Sequence, residues 1–192
     1  MATVTIPEED RTLKDADEIG EFLGRFGIWY RRFEGNDTLG DDATDEDVLG
    51  AYADMIDEMK AEGGYETADV INVTPDIENL DAMLAKFQSE HTHSEDEVRF
   101  IVSGSGLFHV NPDDGPVFRI EVFGGDMINV PAGTKHWFHV CKDRRIRAVR
   151  LFQNKSGWTP HYTESGVAEG YQPLCFGPAY IPPSERLDES VI

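Results

Sequence analysis

Short apolar runs separated by polar turns occupy the second half of the chain and predict a series of β-strands. The runs are rich in Val, Ile, Leu and Phe, and the turns between them contain Gly, Pro or Asp. This pattern is typical of short strands, and strands this short and regularly spaced favour a double-sheet jelly roll. The predicted strands cover residues 98–103, 106–110, 117–122, 127–130, 136–140 and 146–152.

Apolar residues recur at helical spacing in the first half of the chain and predict three helices. In the longest of them, Val48, Tyr52, Ile56 and Met59 share one face, and Thr44 is a suitable N-cap. We interpret this face as core that packs against the barrel and not as a binding groove. The predicted helices cover residues 17–26, 44–63 and 77–87, with a strand at 69–73.

The length of 192 residues suits a single domain. We expect one domain over residues 1–192, mainly β, with a jelly-roll barrel and a few peripheral N-terminal helices. The helical N-terminal part is expected over about residues 1–87, and the barrel core over about residues 65–155. The remaining residues, 156–192, are rich in Gly and Pro and are expected to wrap around the barrel.

The charge of the chain narrows its possible partners. Its formal net charge is −20, from 37 acidic and 17 basic side chains. A surface with this charge repels nucleic acid and anionic membranes. No stretch approaches the length of a transmembrane helix, and the N-terminus has no basic and apolar signal pattern. We therefore expect a soluble, cytoplasmic protein without nucleic-acid or membrane partners.

Two stretches of sequence together predict a metal site. His91 and His93 lie two residues apart and share one face of a strand. Glu97 has the same parity if the strand continues without a bulge, and His136 follows a tight Pro-Ala-Gly-Thr turn that can aim it at the same place. Imidazoles combined with one carboxylate suit iron, nickel, manganese or zinc. We therefore predict that His91, His93, Glu97 and His136 are the metal ligands.

These residues resemble the two conserved motifs of the cupins, whose fold is a double-stranded β-helix, or jelly-roll barrel. The matching positions are His91, His93, Glu97 and Gly104 for the first motif, and Gly125, Pro131, Gly133 and His136 for the second. Two positions differ from the usual pattern, because Ala85 replaces the leading glycine and Val140 the closing asparagine. Neither position is a predicted ligand, so the two differences concern the local turns and not the metal site.

Within the cupins, the chain resembles the acireductone dioxygenases of methionine salvage. The similarity is closest in residues 90–100, 130–138 and 147–153 and in the Trp158-Thr-Pro sequence. It extends over roughly residues 65–180 and more loosely over the helical part. The resemblance implies a monomer with one Fe²⁺ or Ni²⁺ ion, a small-molecule acireductone as substrate and O₂ as co-substrate.

The resemblance also implies the reaction. The substrate, 1,2-dihydroxy-5-(methylthio)pent-1-en-3-one, is an enediol with a neighbouring carbonyl, so its oxygens can chelate a metal. The iron form of the family yields 4-(methylthio)-2-oxobutanoate and formate. The nickel form yields 3-(methylthio)propanoate, formate and carbon monoxide.

Several further residues receive roles from the resemblance. Arg99 is predicted to favour the charged substrate, with a salt bridge at the barrel mouth as the closest alternative. Glu90 and Asp96 occupy positions that are implicated in metal uptake and in relaying conformational change, although they are also plausible as simple neighbours of the ligands. The predicted substrate pocket consists of Phe87, Phe100, Phe138, Arg150 and Trp158, although each of the aromatic residues is equally plausible as simple core.

Two other functions stay open at this point. One is a cupin dioxygenase that cleaves another enediol or a flavonol-like substrate, and the other is a non-catalytic cupin that only binds a metal. The three remaining histidines, His109, His139 and His161, are not expected to bind the metal.

Overall fold

Two antiparallel sheets share one long strand and form a jelly-roll barrel in the computed structural model, which describes residues 1–35, 39–154 and 159–171. The strands in these residues are β1 to β11, which cover Thr3–Ile6, Arg11–Leu13, Tyr30–Arg32, Thr67–Val73, His91–Thr92, Glu97–Val110, Phe118–Phe123, Asp126–Val130, His136–Val140, Ile146–Phe152 and His161–Tyr162. The α-helices are α1 to α4, which cover Ala16–Gly24, Asp45–Ala51, Ala53–Gly63 and Leu80–Gln88. Short 3₁₀ turns lie at Pro7–Glu9 and Val167–Gly170.

The shared strand is β6, and its two halves have different neighbours. The first sheet has the order β11-β5-β9-β6-β7-β1-β2, and the second has the order β4-β10-β6-β8-β3. The N-terminal half of β6 pairs with β8 and β10, and its C-terminal half pairs with β7 and β9. This change of partners joins the two sheets into one barrel.

The continuity of β6 corrects one prediction. The sequence predicted two strands with a turn at residues 103–106, but one strand of 14 residues runs through. Gly104 makes this possible because its φ of +77° suits glycine and a Cβ there would collide with the backbone of Arg145. The neighbouring strand shifts register between Arg147 and Ala148, so the irregularity is a β-bulge and not a turn.

The helices also differ in part from the prediction. Thr44 is the predicted N-cap, and it forms a capping box with Asp47. The single helix predicted for residues 44–63 is instead two helices, because Tyr52 has φ −116° and ψ 21°. The Tyr52 ring packs against Phe100, with ring centroids 4.7 Å apart. The packing of Tyr52 in the core therefore interrupts the single helix that the apolar pattern predicts.

Two apolar clusters lie on opposite faces of the second sheet. The first cluster fills the barrel and includes Ile101, Phe108 and Ile128. The second lies outside the barrel, where Phe100 and Val149 pack against α2 and α3. The outer helices thus support the second sheet from behind, on the face opposite to the barrel interior. None of the helices in the described residues is long and apolar enough to span a bilayer.

Candidate metal centre

Three histidines converge at one end of the barrel. His91 lies in β5, His93 follows that strand directly, and His136 is the first residue of β9. The Cα atoms of His91 and His136 are direct cross-strand partners. All three side chains are buried, and each offers a ligand atom within 4.8 Å of the others. The ring centroids of His91 and His136 lie 4.5 Å apart.

Backbone carbonyl groups orient all three imidazoles. Each Nδ1 lies near a carbonyl oxygen, at 2.7 Å for His91 and Ser89, 2.8 Å for His136 and Thr134, and 3.4 Å for His93 and Thr159. Because a carbonyl oxygen can only accept, each Nδ1 carries the proton, and a neutral ring then has an unprotonated Nε2. Metal-ligating histidines are oriented in this way.

Glu97 lies against two of these Nε2 atoms. Its Oε2 is 3.1 Å from Nε2 of His93 and 3.1 Å from Nε2 of His136. A carboxylate oxygen and an unprotonated ring nitrogen both accept hydrogen bonds, so they repel each other at this distance unless a proton or a cation lies between them. This arrangement of acceptor atoms therefore fits a bound cation.

The charges at the site favour an ionised Glu97 and a neutral His91. Burial alone would raise the pKa of Glu97, but the positive charge of Arg99 and the contacts with His136 and His93 hold it well below its usual range. Arg99 donates from Nε to Glu97 Oε1 at 2.6 Å. Burial lowers the pKa of His91 to about 4, and repulsion from His136 adds to this effect. Neutral imidazoles and a carboxylate are the forms that bind metal.

A turn, and not a continuous strand, connects the first two histidines to Glu97. The shared parity of His91, His93 and Glu97 required one continuous strand, but β5 ends at Thr92 and β6 begins at Glu97. The turn before His136 packs against this connection. Gly133 donates its N–H to the carbonyl of His93 at 2.8 Å, and Ala132 donates to Oδ1 of Asp96 at 3.0 Å. Asp96 therefore links the two motif segments.

The carboxylate of Glu90 is buried and makes its hydrogen bonds with other elements of the chain. It accepts hydrogen bonds from the hydroxyls of Thr163 and Ser165 on Oε1, and from Asn111 Nδ2 on Oε2 at 2.7 Å. These hydroxyls are the main residues that the sequence analysis missed. They follow a Gly- and Pro-rich stretch without any pattern, so no local signal pointed to them.

Three of the predicted pocket residues lie near the histidines or on the same side of the sheet. The Phe87 ring is 6.4 Å from the His91 ring. The Phe138 ring lies 5.9 Å from the guanidinium carbon of Arg99. Arg150 is the cross-strand partner of Arg99, and it binds both carboxylate oxygens of Asp69 at 2.8 and 2.9 Å. Their role in binding substrate stays a prediction.

Phe100 lies on the other face of the sheet. It is fully buried, alternates with Arg99 along β6, and packs against Tyr52 and Phe33 outside the barrel. The prediction that Phe100 lines the substrate pocket is therefore wrong. Its aromatic ring supports α2 instead of a substrate. Trp158, the last of the predicted pocket residues, lies outside the described residues.

The three remaining histidines are separate from the site. His109 and His139 lie on the outer face of the first sheet, with ring centroids 5.7 Å apart. His109 stacks on Trp137 at 4.8 Å, and Trp137 alternates with His136 along β9. His161 is exposed on β11. None of them belongs to the histidine cluster found in the described part of the chain.

A jelly-roll barrel with three histidines and a glutamate at one end defines the chain as a cupin metalloprotein. The sequence model of the ARD/ARD' family matches residues 8–160. The chain therefore belongs to the ARD/ARD' family.

Individual relatives agree with this placement. The chain is 45% identical over 174 residues to an acireductone dioxygenase of Picosynechococcus sp., covering 91% of this chain and 99% of the relative. It is 40% identical over 180 residues to an acireductone dioxygenase of Enterobacter sp., with coverage of 91% and 99%.

A solved structure supports the fold. The acireductone dioxygenase from Bacillus anthracis, which has a cadmium ion in its active center, aligns with a TM-score of 0.77 and 34% identity. The alignment covers 84% of this chain and 98% of that chain. The predicted cupin fold is thereby confirmed.

Proposed function

We propose that the chain is an acireductone dioxygenase that uses the histidine cluster and Glu97 to hold one divalent cation. The observation that carries this proposal is the convergence of three Nε2 atoms with a carboxylate oxygen at 3.1 Å from two of them. Only a cation or a proton stabilises that set of acceptors. The relatives named acireductone dioxygenase match nearly the whole chain, which favours this activity over a flavonol-cleaving or non-catalytic cupin.

The donor set fits Fe²⁺ or Ni²⁺, because imidazole suits both ions and one carboxylate supplies a single negative charge. His91, His93, Glu97 and His136 would hold the ion, and a set of four protein ligands would leave it accessible to the substrate. When bound, the cation supplies Lewis acidity and a template for the chelating oxygens of the acireductone.

We assign to Arg99 the role of binding the negatively charged substrate. Its guanidinium is 8% exposed and is held by Glu97. A guanidinium stays protonated at all relevant pH values and has five N–H donors in a planar fork. Arg99 thus combines orientation of Glu97 with stabilisation of an enediolate. We place Phe87, Phe138 and Arg150 around the bound substrate, because they lie near the histidines or on the Arg99 side of the sheet.

The substrate assignment is tested by oxygen uptake. The chain loaded with ferrous iron is expected to consume O₂ when acireductone is added and to leave a flavonol unchanged, because only a small enediol matches the proposed activity. An oxygen electrode and chromatography of the products measure both reactions. Turnover of the flavonol would support the other dioxygenase, and a metallated chain without oxygen uptake would support a non-catalytic cupin.

Replacement of Arg99 by lysine is expected to slow turnover by roughly a hundredfold, the lower end of the effect of losing one donor oriented toward a developing charge. Lysine keeps the charge but not the planar fork. Metal content should stay near that of the unmodified chain, because Arg99 is not a proposed ligand. Initial rates and metal analysis of the same sample provide the measurement.

The control for this variant is Arg31→Lys. Arg31 is partly exposed and pairs with Glu62 on the surface, so this change should leave the rate unaltered. If Arg99→Lys and Arg31→Lys turn over equally fast, the role of Arg99 is structural.

We also propose that the protein works as a monomer in the cytoplasm. Among the described residues, the only large hydrophobic side chains that are exposed are Met1 and Tyr162. A surface with so little exposed apolar area does not require a partner subunit.

A further inference from the structure

A short segment near the end of the described chain lies against the histidine cluster. We call residues 159–165 the brace. The carbonyl of Thr159 is the acceptor for His93 Nδ1 at 3.4 Å. Tyr162 is the cross-strand partner of His91, and the two rings are 6.2 Å apart. The brace therefore contacts two of the three histidines.

Polar contacts, and not apolar burial, hold the brace in place. Its strand, β11, is only two residues long, lies at the edge of the sheet, and is exposed. The Tyr162 hydroxyl donates to the carbonyl of Lys86, in the last turn of α4, at 2.9 Å. An edge strand this short is not stable by itself, so its position depends on contacts of this kind.

Glu90 is the main anchor of the brace. Its Oε1 accepts from both Thr163 Oγ1 and Ser165 Oγ, and its backbone carbonyl accepts from Thr163 N at 3.2 Å. The carboxylate is 4% exposed, and a buried carboxylate is costly unless donors surround it. The two hydroxyls therefore satisfy Glu90 and at the same time fix the brace beside the next residue, His91.

We propose that Thr163 and Ser165 are positioning residues, which act through Glu90 and the brace to orient His91 and His93 for metal binding. The proposal rests on the proposed function, because it assigns His91 and His93 as ligands. Neither hydroxyl touches the metal or the substrate. Without them the brace moves away from β5, and His93 loses the carbonyl that keeps the proton on its Nδ1.

The test is the double variant Thr163→Val, Ser165→Ala, which removes both hydroxyls with little change of shape. Loss of groups that orient metal ligands costs roughly 10-fold to 100-fold in affinity, so nickel is expected to leave this variant about tenfold faster or more. Release of Ni²⁺ into a colorimetric chelator measures the rate. In the metal-free variant, the backbone amide of residue 163 should also exchange hydrogen faster than in the metal-free unmodified chain, because its bond to the Glu90 carbonyl weakens.

The matched control is Thr12→Val, Ser103→Ala, which removes the same two groups at exposed positions on β2 and β6, outside the brace and the histidine cluster. It should release nickel at the rate of the unmodified chain. Thr163→Ser, which keeps both hydroxyls, should restore slow release. A double variant that unfolds at a much lower urea concentration than the control would be replaced by Ser165→Ala alone, for which a smaller but measurable acceleration is expected.

Three results would contradict the proposal. Nickel release at the control rate would show that the brace does not orient the ligands, even if the backbone amide of residue 163 exchanges faster. Unchanged exchange and unchanged release would show that Glu90 does not depend on the hydroxyls. If the unmodified chain itself bound no nickel, the proposed function would fail and this proposal with it, which distinguishes the two cases.

Discussion

Replacement of His136 by alanine is expected to remove most of the bound metal and to slow acireductone cleavage by roughly a thousandfold. His136 is the proposed ligand from the second motif, and its Nε2 lies 3.1 Å from Glu97. A bound cation supplies several kcal/mol of charge stabilisation, and each ~1.4 kcal/mol corresponds to a factor of ten in rate. Loss of the cation is therefore expected to have a larger effect on the rate than loss of any single hydrogen-bond donor at the site.

The matched control is His139→Ala. His139 belongs to the same strand, β9, and lies on the outer face of the sheet near His109. It should keep its metal and its activity, since it is remote from the three clustered histidines. Metal analysis by mass spectrometry and initial rates of oxygen uptake are measured for both variants. A fully metallated and active His136→Ala protein would remove His136 from the ligand set.

The sequence predicted best where the pattern is local. Strands β9 and β10 have the predicted bounds, because each is a short apolar run closed by polar turns. The N-cap Thr44 and its carboxylate partner Asp47 lie three residues apart, so the capping box is also a local feature. The grouping of the three histidines followed from their motif spacing.

The sequence predicted least where distant segments meet. The need for glycine at position 104 depends on the backbone of Arg145, which immediately precedes β10 and is distant in sequence. The hydroxyls that surround Glu90 come from residues more than 70 positions away. Such contacts form only when the barrel closes, so periodicity and spacing along the chain contain no trace of them.

Phe100 illustrates a different kind of error. Its alternation with Arg99 along a strand already places it on the opposite face, and the structure puts it against Tyr52 outside the barrel. Its aromatic character suggested a pocket, but parity was the better guide. Glu97 lies beside the histidines as predicted, but not because it shares a strand with them. The chain turns between β5 and β6.

The bound metal is expected to decide the products of the reaction. The comparison can be made in one protein, because the same four side chains suit both iron and nickel. Imidazole nitrogens and one carboxylate do not discriminate strongly between these two ions by ligand type. The side chains around the ligands are buried and bonded to one another, as with Glu97 and Arg99 at 2.6 Å, so either ion should enter without refolding. The proposed difference between the two forms is the pair of substrate oxygens that each ion would chelate, which would decide the carbon open to O₂.

The experiment divides one batch of metal-free protein and reconstitutes one half with Fe²⁺ and the other with Ni²⁺. Both forms are expected to consume the same acireductone and O₂ and to release formate. The iron form should yield 4-(methylthio)-2-oxobutanoate, whereas only the nickel form should release carbon monoxide together with 3-(methylthio)propanoate. Gas analysis and chromatography measure the products, and circular dichroism serves as the control that both forms share one fold. Identical product mixtures from the two halves would show that the metal does not select the chelate, while the dioxygenase activity itself would stand.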